Sequence, residues 1–201
     1  DHRLTRFTSL EQRIDAAAHV VLDRMPKGGL SGALIEFLVF GMKQAWACLF
    51  GGLMLAAVIA THYFWPEGAA LARYDFLFLF ALGVQIAMLA FKLEKFEEAK
   101  VILIFHLVGT AMELFKTHAG SWVYPEANLF RIGGVPLFSG FMYAAVGSYI
   151  ARITRIFDMR YSNYPDIGLT FALAAGVYVN FFTHHFTIDV RLALFAFTAL
   201  L

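Results

Sequence analysis

Apolar residues run through the chain in long blocks separated by short polar connections. The blocks are about 20 residues long, the length an α-helix needs to cross a hydrocarbon layer of about 30 Å. They predict an all-α fold, a polytopic transmembrane helical bundle of at least six spans. Spans are expected at about 44–64, 74–91, 101–115, 135–153 and 167–186, and a sixth begins at 190 and is cut at Leu201, so further helices are expected beyond it. The small residues Gly140, Ala144, Gly147 and Ser148, at three- and four-residue spacing on the fourth span, predict close approach of a neighbouring helix.

Residues 1–32 read differently. Five basic residues (Arg3, Arg6, Arg13, Arg24 and Lys27) are mixed with apolar positions at helical spacing, such as Leu10, Ile14 and Val21, before a Pro-Lys-Gly-Gly break. The segment is too charged to span a membrane or to be a signal peptide. It is expected to be a cytoplasmic amphipathic helix lying against the membrane, or a loosely packed terminal helix, with residues 33–201 as the transmembrane domain. Within that domain, residues 35–43 include Glu36 and Lys43 and are expected to enter obliquely or to lie in the interface.

Composition sharpens the membrane reading. The 201 residues are 60% apolar and 15% charged, against about 45–50% and 25% in an ordinary soluble domain. The net charge of +1 is spread over several connections, which gives no basic face and no expectation of a nucleic-acid partner. Membrane lipids are the expected surroundings, and a homo-oligomer or a membrane-complex partner stays open. A lone Cys48 excludes an internal disulfide. The basic residues also orient the chain: with the N-terminus inside, twelve Lys and Arg fall on inner segments and four (Arg73, Lys116, Arg131 and Arg191) on outer ones. A multi-pass protein of the inner (cytoplasmic) membrane with a cytoplasmic N-terminus follows.

This topology gathers the polar chemistry at the outer face. On the third span His106, Thr110, Glu113 and Thr117 share one helical stripe. Ionisable groups inside a bilayer face protein or water, so the stripe points inward. Glu113 reads as a proton-transfer carboxylate or a metal ligand, against the alternative of a buried polar pair, such as one with Lys116, that fixes packing. On the fifth span, the sequence NFFTHHF puts Asn180 and His184 on one face and turns His185 away. Together His118, His184, His185 and Glu126 could offer ligands to a divalent metal (Zn, Fe or Mn). The sequence contains no HExxH and no repeated HxxxH, so the cofactor stays unknown. A haem between His106 and His184 is disfavoured by their different depths. Between the third and fourth spans, an aromatic connection with Trp122 and Tyr124 is expected to fold back as a lid over an outer cavity, or to lie in the interface as an ordinary loop.

The segments FxxFxxKQAWAC (Phe37 to Cys48), GTAMELFKTHAGSWVYPE (Gly109 to Glu126), GGVPLFSGFMY (Gly133 to Tyr143) and NFFTHHF (Asn180 to Phe186) resemble the uncharacterised bacterial membrane family known as domain of unknown function 817, DUF817, of the YoaT type. That resemblance implies a membrane protein and brings no activity. The order Gly109, Glu113, Gly120, Trp122, Tyr124 and Gly133 to Pro136 also resembles carotenoid hydratases and C50 carotenoid cyclases, a likeness that implies protonation of a polyene by an intramembrane acid. Three functions follow as expectations. The first is a membrane-embedded enzyme acting on a lipid-like or isoprenoid substrate, with Glu113 as general acid or base, His118 and His184 as proton partners or metal ligands, and Asn180 positioning. The second is a transporter or proton pathway, and the third a structural or assembly subunit of a membrane complex.

Overall fold

The computed structural model describes residues 7–24, 29–157 and 159–201. Arg3, Arg6 and Lys27 of the expected amphipathic segment lie outside these residues. The described chain is all-helical apart from one two-stranded hairpin. In order it forms α1 (Ser9–Asp23), α2 (Gly29–Ala47), α3 (Leu49–Phe64), α4 (Arg73–Ala90), α5 (Phe96–His118), β1 (Arg131–Ile132), β2 (Val135–Pro136), α6 (Phe138–Ile156), α7 (Ile167–Thr183) and α8 (Arg191–Leu200). Two compact units result, one running to Met159 and the other from Arg160 to Leu201. Of the described helices, α4 alone is long and apolar enough to cross a membrane by itself. Helices α2 and α3 meet that condition only together, as a pair bent by 71°, and α7 and α8 are shorter apolar helices.

The bend corrects the first expected span. The run at 44–64 is not one helix: it breaks at Cys48, and α3 begins at Leu49. Gly51 and Gly52 just beyond the break weaken helical continuity by roughly 1 kcal/mol each relative to alanine. Gly51 also lets α3 approach α6, since a Cβ there would stand 3.3 Å from the Ala145 methyl.

The first unit is built on the antiparallel pair α5–α6. Its closeness comes from glycine on both helices. A Cβ on Gly109 would lie 2.5 Å from the Tyr143 ring, one on Gly147 would lie 2.7 Å from the Phe105 ring, and one on Gly140 would collide with Thr110 and with both the ring and the carbonyl of His106. Ala144 and Ser148 complete the small-residue face and are buried. Against this pair pack Phe50 and Met54 of α3 and Ala81 and Met88 of α4, joined by Ile102 and Phe141 in one apolar cluster. A second cluster of Tyr74, Leu77 and Phe138 lies toward the α5 C-terminal end and takes in Tyr124 from the connection.

Residues 119–137 are ordered by turn chemistry. Gly120, with φ +72°, ends α5, and the Ser121 N–H reaches back to the Lys116 carbonyl at 3.0 Å. Gly133 and Gly134 both have positive φ and form the two-residue turn of the β1–β2 hairpin, which pairs Ile132 with Val135. The fourth apolar run therefore opens as a strand at Val135, and its helix starts only at Phe138.

At the opposite end of the unit, α1 is fastened by charge. Thr8 and Glu11 form a reciprocal capping box. The Glu11 carboxylate also accepts from Trp46 Nε1 at 3.0 Å and from Arg155, while Lys43 Nζ donates to Asp15 at 2.8 Å. The acidic face of α1 is thus turned toward α2 and α6. Arg155 bridges Glu11 and Glu98. Arg152, fully buried, donates to the carbonyls of Trp46 and Leu93 and lies 3.8 Å from Glu94. Burial pushes the Glu11 carboxyl up, but the Thr8 N–H, Trp46 and Arg155 outweigh it and hold it below the usual value.

Candidate functional site

Glu113 sits one turn before the C-terminal end of α5 and is buried. Tyr143, reaching across from α6, donates its hydroxyl to Glu113 Oε1 at 2.6 Å. Two further donors come from the connection and share Oε2: Trp122 Nε1 at 2.9 Å and the Tyr124 hydroxyl at 2.7 Å. The reach of Tyr143 depends on Gly109, one turn below Glu113, because any larger residue there would push the tyrosine ring away. Burial, reinforced by the bond to Glu113, raises the Tyr124 phenol well above its usual pKa and keeps it a proton donor. Lys116 is buried nearby with its Nζ 6.0 Å from the centroid of the Trp122 ring.

The connection is held over this site by α4. Asp75, buried in the first turn of α4, accepts from the backbone N–H of Leu129 at 2.8 Å, from that of Phe130 at 2.8 Å and from Asn128 Nδ2 at 3.2 Å. One residue pair earlier, Arg73 grips Glu126 through both Nε and Nη2, the shortest contact being 2.5 Å. Tyr124 is wedged edge-on against Tyr74 and Phe138, with ring centroids 6.0 and 6.4 Å apart. Trp122 and Tyr124 therefore close on Glu113 from a segment pinned at two further points.

The remaining candidates are dispersed. His118, at the end of α5, is exposed, and Glu126 is occupied by Arg73. His106 packs against Phe141 with ring centroids 4.3 Å apart, and its Nδ1 is buried without a hydrogen-bond partner. The Thr110 hydroxyl, on the same stripe, donates to the main-chain carbonyl of His106 at 2.7 Å. Within the second unit, Asn180 is buried and ties the end of α7 to the start of α8. Its amide nitrogen donates to Asp189 at 3.2 Å, and its oxygen accepts from the Val190 N–H at 3.0 Å. His184 Nδ1 lies 3.0 Å from the Asn180 carbonyl, and its ring stacks on His185 at 4.0 Å. Among the described residues no group of three or more His, Cys, Asp and Glu stands close enough to hold a metal ion.

Sequence reasoning missed Tyr143, Asp75 and Arg73. An aspartate one residue inside an apolar span was a readable signal for Asp75, since such a carboxylate must find donors in the protein. Tyr143 gave no signal of its own: a tyrosine in an apolar run is common, and its partner is 30 positions away.

The chain matches a family model described as a protein of unknown function, DUF817, over residues 36–201. It is 43% identical over 159 residues to the uncharacterised protein YoaT of Bacillus subtilis (strain 168), an alignment covering 79% of this chain and 60% of that relative. The chain therefore spans about three-fifths of the relative's length. No solved structure matches. The motifs around Glu113, with Trp122, Tyr124 and Tyr143, fall inside the matched region, and the chain belongs to the DUF817 family.

Proposed function

We propose that this is a polytopic inner-membrane protein, N-terminus cytoplasmic, that acts as a membrane-embedded enzyme on a lipid-like or isoprenoid substrate through Glu113. The observation that carries the reading is the convergence of three neutral donors, Trp122, Tyr124 and Tyr143, on one buried carboxylate. A buried ionisable group costs several kcal/mol unless it is satisfied or used, and a general acid or base must be held at a fixed position within hydrogen-bond reach of its substrate. The large apolar side chains exposed along α5, Leu103, Ile104 and Leu107, fit a lipid-facing side on the same helix. The twelve-to-four distribution of basic residues supports the orientation that puts Glu113 at the outer face.

In this reading Glu113 is the general acid or base, and Tyr143 holds it from the protein side while Trp122 and Tyr124 give way to substrate. The test compares lipid extracts of membranes containing the wild-type protein with those containing Glu113→Gln or Tyr143→Phe, by mass spectrometry. A lipid species that appears with the wild type is expected to disappear with Glu113→Gln and to fall with Tyr143→Phe. Identical extracts from wild type and Glu113→Gln would sink the assignment.

One observation favours a transporter as the second reading: the unpartnered Nδ1 of His106 lies on the same helix, seven residues before Glu113. A proton path through both groups would be lost in His106→Ala, which proton uptake into proteoliposomes measures directly.

A further inference from the structure

Helix α1 is held on the first unit mainly by its acids. Of its apolar side chains only Ala18 is fully buried. Glu11 meets Trp46 and Arg155, and Asp15 meets Lys43. The groups that receive these acids are positioned by other elements. Lys43 and Trp46 stand three residues apart on α2. The Arg152 guanidinium lies 5.6 Å from the centroid of the Trp46 ring and steadies the indole, and Glu98 holds Arg155 from α5.

These donors outnumber the acceptors that α1 offers them. Trp46 Nε1 and Arg155 Nη2 converge on the single oxygen Oε1 of Glu11, because Oε2 accepts the Thr8 N–H of the helix's own cap. Arg155 Nε is buried without a hydrogen-bond partner, and the Arg155 side chain is only 9% exposed. The charges show the same surplus. Lys43, Lys95, Arg152 and Arg155 stand against Glu94 and Glu98 of the remaining fold, and the two positive charges left over are offset by Glu11 and Asp15 of α1. A phosphate group brings several oxygens and a full negative charge to such a set, where one carboxylate oxygen now serves two donors. In the orientation proposed above this end lies at the inner face, whose leaflet is anionic and whose lipid heads are drawn to basic pockets at helix ends. We infer that Lys43, Trp46 and Arg155 form a binding site for the phosphate of an anionic phospholipid, and that α1 covers it in this structure with Glu11 and Asp15 standing where the lipid head would bind. Helix α1 and the lipid compete for one site. The inference rests on the membrane placement and orientation proposed above, and it stands whether or not Glu113 performs chemistry.

The full chain is placed in nanodiscs of phosphatidylcholine with a rising fraction of phosphatidylglycerol, and co-elution with the disc checks the membrane placement separately. Hydrogen exchange across Ser9–Asp23 reports α1. Its protection is expected to fall as phosphatidylglycerol rises and to stay constant when inorganic phosphate is added to pure phosphatidylcholine discs. An equal fall with inorganic phosphate would overturn the lipid assignment. Protection that stays constant at every phosphatidylglycerol fraction would make α1 a permanent part of the fold and overturn the site. Retained lipid is then counted by native mass spectrometry. A cover that lifts about a tenth of the time weakens the apparent affinity about ten-fold, so Glu11→Gln combined with Asp15→Asn should retain phosphatidylglycerol at roughly ten-fold lower concentration than the wild type. Adding Lys43→Gln to that pair should reverse most of the gain. Asp23→Asn combined with Glu97→Gln removes two exposed acids of the same inner face instead. An equal gain there would mean bulk attraction to the charged lipid and overturn the site.

Discussion

At one end of the first unit, the hydrogen bonds to Glu113 come from an indole and two phenols. At the other end, Glu11 and Glu98 share Arg155, and Glu94 faces Arg152. Both ends bury carboxylates, and at the second end guanidinium groups join neutral donors such as Trp46 on Glu11. A guanidinium cancels the charge it binds, and a pair so formed is difficult to recruit for chemistry. Phenol and indole donors hold a carboxylate in place without bringing a formal charge of their own. The Arg152 end is built for stability, and the function proposed above needs the Glu113 end to be different.

The contrast breaks most visibly at Arg152. Replacing it with alanine leaves Glu94 in the interior with Gln85 but without its guanidinium and is expected to cost about 3–5 kcal/mol, read as a large fall in the thermal unfolding midpoint of the purified protein. Glu113→Gln should cost less, about 2 kcal/mol, because the amide nitrogen sets a donor against a donor while size is kept. If its loss equals that of Arg152→Ala, the Glu113 end is as structural as the other. Asp75→Asn should cost about 1.5 kcal/mol by weakening the charge-assisted bonds to Leu129 and Phe130. Its effect is local, and faster hydrogen exchange confined to residues 119–137 would show it.

Acid separates the ends in a different way. Glu11 is held below its usual value in the folded protein, so its contribution is present above the ordinary carboxylate pKa of about 4.3 and is lost as pH falls below it. Exchange protection across α1 is expected to hold down to about pH 4 and to drop below it, a pH effect that belongs to the charged end. The smallest effect belongs to Glu126→Gln. That side chain is 41% exposed, and losing its pairing with Arg73 should cost about 0.5 kcal/mol.

The apolar blocks made the helices legible, and an acid inside an apolar run singled out Glu113. The aromatic connection was readable either as a segment folding back or as an interfacial loop, and Trp122 and Tyr124 both bond to Glu113. What could not be read is long-range pairing. Arg155 and Glu11 are 144 positions apart, and as letters they look like two inner-face charges. The hairpin escaped because strands of two residues carry no periodicity; only the Gly133–Gly134 pair marks it. Histidines drew attention by their chemistry alone, and Asn180 shows the cost: a polar residue beside them spends its amide on joining two helices.

The fastening of the connection also fixes an order of events during synthesis. Asp75 must wait until residues 128–130 have been made, 53 to 55 positions later, and Glu113 must wait 30 more residues for Tyr143. Glu113 has Trp122 and Tyr124 within eleven residues of its own synthesis, so Asp75 waits longest for a first donor and Glu113 waits only for its third. The set of donors around Glu113 is therefore completed only by α6, the last helix of the first unit.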